Sequence, residues 1–272
     1  MCGICAYVGK GNAVKHVLDG LKILEYRGYD SAGISYIENE RLRTIKAVGE
    51  IANLEKKVDG IFSNIAVGHT RWATHGGVTE NNAHPHLSFT QNIAMVHNGI
   101  IENYKELKEE LKLDKWNSQT DTEVFVNLVE TEKGNLIQKL ISASQKAIGS
   151  FAVAILDKSG FLVLGKRESP LYVAYVKGGI MAVSDTYVLS GLAQEFFTLK
   201  DNEFAEIKND KIYFYNKNGK KITKNSEKMQ FFNKKTQIFE KTHMKSEILE
   251  TKDILLETFM KYKNGDIFSK VI

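Results

Sequence analysis

The most reactive group in this sequence is the thiol of Cys2, directly after the initiator methionine. A side chain that small permits removal of Met1, which would set a free α-amine beside the sulfur. With an amine pKa near ~7.7 and a thiol near ~8.5, the amine can act as the base that prepares the thiolate, so one residue supplies nucleophile and base. A retained Met1 turns that nitrogen into a peptide amide, and the chemistry fails. Alone, a cysteine at this position is weak evidence. Cys5 completes a C-x-x-C spacing, but no second cysteine pair exists to build a zinc site. Gly3 to Val8 reads as a strand, which puts Cys5 on the face opposite Cys2, as a small core residue.

His69, His75, His84, His86 and His97 fall in one short interval where Glu80 is the only nearby acid. Scarce carboxylates argue against a metal, and polar loop and hydrogen-bonding roles are expected instead. Arg71, Trp72, Thr74 and His75 follow one strand end, and Asn98-Gly99 follow another; loops at strand ends are where sites are built. An amide substrate needs donors aimed at the oxyanion formed as sulfur attacks, which an Asn side chain beside a glycine N–H can supply. A free amino acid further needs a cation for its carboxylate, as Arg71 offers, and an anion for its ammonium, as Asp121 offers. Taken singly, each has a plainer reading: a surface ion pair for Arg71, a helix cap for Asp121, a hairpin turn for Asn98-Gly99.

These groups need a frame. After the first strand comes a helix with its apolar stripe at Val14, Val17, Leu18, Leu21 and Leu24, then a hairpin of Ala32 to Ile37 with Leu42 to Val48. Short strands are predicted at Ile65 to Thr70 and Ile93 to His97, and helices at Asn103 to Leu111, Thr122 to Thr131 and Leu136 to Ala147. Beyond Gly149 the pattern predicts six closely spaced strands ending with Ile212 to Tyr215. Strands, then helices, then strands again indicate an α+β domain of mostly antiparallel sheets. The 272 residues, 43% of them hydrophobic, can bury a large core. The net charge of +4 is a C-terminal feature, with eleven lysines against three acids from Lys208 to Lys245. That segment reads as a solvated surface rather than a nucleic-acid or membrane footprint. With no membrane-length apolar run and no leader pattern, a cytoplasmic protein is expected. Periodicity is lost near Thr223, so a domain of residues 2–224 is expected, followed by 225–272 as a linker and the start of a further domain.

Several strings, in order, carry a resemblance: Met1-Cys-Gly-Ile, Leu24-Glu-Tyr-Arg-Gly-Tyr-Asp-Ser-Ala-Gly33, Gly68-His-Thr-Arg-Trp-Ala-Thr-His-Gly76, Asn82-Ala-His-Pro-His86, Val96-His-Asn-Gly-Ile-Ile-Glu-Asn103 and Thr120-Asp-Thr-Glu-Val124. Together they resemble the class II, N-terminal nucleophile glutamine amidotransferases, and within them the aminosugar-forming branch. The resemblance implies a four-layer αββα sandwich, two antiparallel sheets between helices. It makes Cys2 the nucleophile and Asn98 with Gly99 the oxyanion hole. It places Arg71, Trp72, Thr74, His75 and Asp121 around L-glutamine, with Arg27 and His84 in support, and it calls for no cofactor and no metal. In that branch ammonia passes to fructose 6-phosphate on a sugar-phosphate isomerase half, which is absent here, and the full-length protein has room to be a homodimer. The tail Thr242-His-Met-Lys-Ser-Glu-Ile-Leu-Glu250 resembles the opening of that half, departing at Ser246 and at Thr251-Lys252. The competing expectation is a catalytically silent module that regulates or docks to a separate isomerase chain.

Overall fold

The computed structural model describes residues 2–73 and 76–229, with residues 251, 252, 254–256 and 258–260 further on. The chain divides into two compact units, Met1–Phe231 and Phe232–Ile272. In the second, the described residues are helical; the rest of the expected linker and further domain lies outside the described residues.

In the first unit, β1 (Gly3–Gly9) leads to α1 (Ala13–Leu24), a short 3-10 turn at Glu25–Arg27, the hairpin β2 (Ser31–Glu38) and β3 (Arg41–Val48), α2 (Ile51–Val58) and β4 (Ile65–Arg71). Next come β5 (His86–Leu87), β6 (Ile93–Ile101), α3 (Tyr104–Leu111), α4 (Asp121–Thr131) and α5 (Leu136–Lys146). The run closes with β7 (Gly149–Asp157), β8 (Leu162–Arg167), β9 (Tyr172–Val176), β10 (Gly179–Val183), β11 (Glu195–Thr198), β12 (Glu203–Lys208), β13 (Lys211–Tyr215), β14 (Lys221–Ile222) and β15 (Glu227–Lys228). The ordered fold therefore continues a few residues past Lys224: Glu195 and Phe196 pair with Lys228 and Glu227, and Met229 is buried.

One sheet has eight strands in the order β15-β11-β9-β10-β1-β4-β2-β3, the other seven in the order β14-β13-β12-β8-β7-β6-β5. Every recorded pairing is antiparallel. Alternation explains the layering. On β1, Cys5 and Tyr7 pack with Val17 and Leu21 of α1 and Leu54 of α2, while Ile4 and Ala6 face Val96, Ala154 and Leu164 of the second sheet. The outer face of the second sheet carries α4 and α5 through Phe125, Val129 and Leu140 against Phe151 and Val153. Helices, sheet, sheet and helices make the expected four-layer α+β sandwich, with Cys5 buried in the core beside α1 as its parity required.

Candidate functional site

Cys2 sits at the lip of this sandwich, one step before the Gly3–Thr70 pair that starts the β1–β4 ladder. Its Sγ accepts the Trp72 N–H at 3.3 Å. Burial pushes the thiol pKa up, opposed by that N–H and by the nearby positive charges, including Arg71 and Arg27. Gly28 makes room for this arrangement, because a Cβ there would fall 2.8 Å from the Arg71 carbonyl carbon and the Trp72 nitrogen. Asp30 then pins the next segment: its N–H donates to the Arg71 carbonyl at 3.1 Å, and its Oδ2 accepts the Ala73 N–H at 2.8 Å. Trp72 itself is 40% exposed and meets Tyr29 edge-on at 5.5 Å.

Asn98 and Gly99 do not follow a strand, as the sequence reading expected, nor do they form a hairpin turn. They lie inside β6, paired with Ala152 and Phe151. Asn and Gly have poor strand propensity, so the apolar pattern stops at His97, but tertiary pairing with β7 carries the strand four residues further. Asn98 Nδ2 donates to the Cys2 carbonyl at 3.1 Å. In the β6–β7 ladder, the Lys158 N–H to Asn92 carbonyl and Glu102 N–H to Ile148 carbonyl bonds, both 2.8 Å, mark the even-numbered β6 positions as those bonded to β7. Odd-numbered N–H groups leave by the other edge. His97 N–H reaches His84 Nδ1 at 3.2 Å, and Ile101 N–H reaches Asp121 Oδ2 at 2.7 Å. The Gly99 N–H leaves between these two, at an exposed position. Only glycine fits there, since φ is +135° and a Cβ would meet the Ser150 carbonyl oxygen at 2.1 Å.

Asp121 opens α4, where a carboxylate is favoured by the helix dipole, while Thr120 is the cap, accepting the Glu123 N–H. Arg71 closes β4 and is buried; burial lowers its pKa, and Cys2, Asp30 and Asp121 favour its charge. One guanidinium nitrogen donates to the Gly77 carbonyl at 3.2 Å. Arg27 pairs with Asp185 at 2.9 Å, and the same carboxylate oxygen accepts the Tyr26 hydroxyl at 2.9 Å. Cys2, Arg71, Trp72, Asn98, Gly99 and Asp121 are thus brought to one place, with Arg27 beside them. Thr74 and His75 lie outside the described residues.

The histidines depart most from expectation. His69, His86 and His97 lie on strands and His84 in the segment before β5; all four make the expected hydrogen bonds, but they are buried rather than solvated. His84 stacks on His69 at 4.2 Å and meets His86 edge-on at 4.7 Å. Desolvation lowers the pKa of all four, to about 3 for His69. Two of them are held by neutral hydroxyls: His86 by that of Thr120 at 3.0 Å, His97 by that of Thr122 at 2.9 Å. Among the described residues, no group of three or more His, Cys, Asp or Glu side chains is placed to hold a metal, and no helix is long and apolar enough to cross a membrane. The sequence assigns Asp30 and Asp185 no role, and His69 only a general hydrogen-bonding one, outside the site. His69 was nonetheless within reach, since it lies two residues from Arg71 on a strand and must share its face.

A thiol that accepts the Trp72 N–H, the Asn98 amide on the Cys2 carbonyl, and the opposite charges of Arg71 and Asp121 nearby suit attack on the amide of a small zwitterion. The glutamine amidotransferase domain family matches residues 54–245. The glutamine–fructose-6-phosphate aminotransferase (isomerizing) of Clostridium tetani is 40% identical over 231 residues, covering 82% of this chain and 38% of that protein. The proteins of the same name from Aquifex aeolicus and Mesorhizobium japonicum are 41% and 37% identical, over 82% and 96% of this chain and 39% and 44% of theirs. This chain therefore spans about two fifths of the length of these relatives. Among solved structures, glutamine phosphoribosylpyrophosphate amidotransferase from B. subtilis superimposes with a TM-score of 0.71 at 22% identity, covering 79% of this chain and 49% of that one. An allosteric regulatory enzyme of purine biosynthesis gives 0.72 at 24%, over 79% and 49%. At such identities these two likenesses speak for the fold.

Proposed function

The chain belongs to the family of glutamine amidotransferase domains, and from that premise we propose that it hydrolyses L-glutamine through a γ-glutamyl thioester on Cys2. With Met1 removed, the α-amine takes the thiol proton as sulfur attacks the side-chain carboxamide. The carbonyl oxygen becomes an oxyanion held by Asn98 Nδ2 and the Gly99 N–H. Collapse expels ammonia, which leaves with the proton carried by the amine, and water then attacks the thioester to release glutamate and restore the thiol. Arg71 receives the α-carboxylate and Asp121 the α-ammonium, Thr74 and His75 belong to the glutamine-binding set, and Trp72 lies on the loop that closes over the substrate, while Arg27 and His84 support the site. In a full-length protein like the relatives above, the ammonia passes to fructose 6-phosphate on an isomerase half to form an aminosugar phosphate, in the cytoplasm.

The observation that carries this reading is the convergence on Cys2 of the Trp72 N–H and the Asn98 amide, with the Arg71 charge beside them. The test is glutamate release by the purified chain and by Cys2→Ala. Turnover by the parent that vanishes in the folded variant is expected. Turnover that survives the substitution removes Cys2 as the nucleophile, and a parent that binds glutamine without turnover favours the silent module.

A further inference from the structure

A primary amide has two ends of nearly equal size, and only its NH2 end can serve an oxyanion; with Asn98 turned over, an acceptor would face the developing negative charge. The neighbours of Asn98 decide between these states. His69 Nε2 lies 3.0 Å from the His97 carbonyl oxygen and 2.9 Å from Asn98 Oδ1. A carbonyl can only accept, so Nε2 carries the proton and the atom of Asn98 facing it must be the oxygen. At the other end, Asn98 Nδ2 faces the Cys2 carbonyl, again a pure acceptor. Two backbone carbonyls thus bracket the pair and allow one proton arrangement only: Cys2 C=O receives from Asn98, and Asn98 and the His97 carbonyl receive from His69.

We propose that His69 is a positioning residue whose Nε2–H locks the Asn98 amide with its NH2 group toward Cys2, leaving the second N–H of that group for the oxyanion. This rests on the glutaminase reading above and adds to it the residue that sets the direction of one donor. The surroundings hold His69 to the task. The ring is fully buried, and the stacked His84 ring, 18° from parallel, fixes its plane. Its Nδ1 has no hydrogen-bond partner among the described residues, so only Nε2 connects the ring to anything polar. Burial also keeps it neutral, with a pKa lowered to about 3, so the imidazole persists as the Nε2–H tautomer through the neutral range.

The experiment compares the parent with His69→Leu and His69→Gln, the latter carrying an amide N–H near the place of Nε2. The expected result for His69→Leu is a fall in kcat for glutamine of about 10²-fold, the scale of one lost oxyanion donor. Its KM is expected to hold, and alkylation of Cys2 by iodoacetamide, which forms no oxyanion, is expected to stay at the parental rate. Affinity for glutamate γ-semialdehyde, whose adduct with the thiol mimics the tetrahedral intermediate, is expected to fall by the same factor as kcat. His69→Gln is expected to restore most of both. Unchanged kcat in His69→Leu, or parallel losses of KM and alkylation, overturns the proposal. If neither variant folds, the parent decides: ¹⁵N NMR is expected to show the His69 proton on Nε2, and a proton on Nδ1 overturns the assignment. A parent with that tautomer but no glutaminase activity contradicts the functional reading and leaves the Asn98–His69 arrangement standing.

Discussion

The layer between the two sheets is buried along its whole length, yet its two ends are built from different chemistry. On β4, Ile65 and Val67 face inward at one end and His69 and Arg71 at the other, and none is more than 4% exposed. On β6 the same face changes from Val96 to Asn98. At the apolar end, Leu156, Leu162 and Leu164 of the second sheet pack with Ala6, Ile65 and Val67, and stability comes from area removed from water. At the Cys2 end, burial works against every polar group, so each must be neutral or partnered. Neutral histidines bonded to Thr120 and Thr122 meet that demand without bringing charge into the layer. The strands thus carry a polar constellation on a platform made rigid by their own apolar halves.

The sharpest way to break this contrast is to disturb the polar end at one atom. Gly99→Ala places a methyl group 2.1 Å from the Ser150 carbonyl oxygen at a φ of +135°. Displacing that backbone is expected to lower glutamine turnover by 10²-fold or more, the scale of a lost oxyanion donor, and to destabilise the fold by about 1–3 kcal/mol. Steady-state glutaminase assays and urea unfolding check the two parts, and a fully active variant would detach Gly99 from the chemistry. At the apolar end, Leu164→Ala is expected to give the opposite profile. Stability should fall by about 2–5 kcal/mol through the lost burial and the cavity left behind, while turnover per folded molecule stays at the parental level. A matching loss of turnover would show that the two ends are not separable.

How much of this contrast can be read in the residues depends on the scale of the signal. The α+β class was legible in the order of the elements, α1 in apolar residues at helical spacing and β4 and β6 in short apolar runs, whereas the four-layer αββα arrangement came only with the family resemblance. α2 was missed although Ile51, Leu54 and Val58 keep a helical period, and β5, β14 and β15 are two residues each, too short to carry any period. Within the site, residue types near Cys2 were informative, since a cation, an anion and an amide each answer one part of an amino-acid amide. The burial of the histidines was not legible. Whether a histidine faces water or a threonine hydroxyl depends on a partner far along the chain, as with His86 and Thr120. The role of Asp30 was hidden for the same reason, because its acceptor duty is to Ala73 on a segment brought to it by β4.

A gentler probe of the same contrast is acid. The four buried histidines have folded pKa values below the ordinary 6.5. As pH falls through 6.5, the unfolded chain takes up protons that the fold refuses, so the unfolded state binds more and stability drops. Their contribution is complete above 6.5 and is lost progressively as pH falls below it, for His69 down to about 3, where its share of the slope approaches about 1.4 kcal/mol per pH unit. Urea midpoints measured from pH 7.5 down to 5 are expected to decline, and a flat profile would mean these rings are charged in the fold.

The most direct test of the central claim, that the sulfur of Cys2 attacks a side-chain carbonyl held at the polar end of the layer, is covalent trapping with 6-diazo-5-oxo-L-norleucine, an electrophile that copies glutamine. One adduct per chain is expected, on an amino-terminal peptide that begins at Cys2, and free glutamine should slow its formation. Labelling of Cys5 instead, labelling that glutamine does not slow, or an unlabelled chain that still releases glutamate would contradict the account.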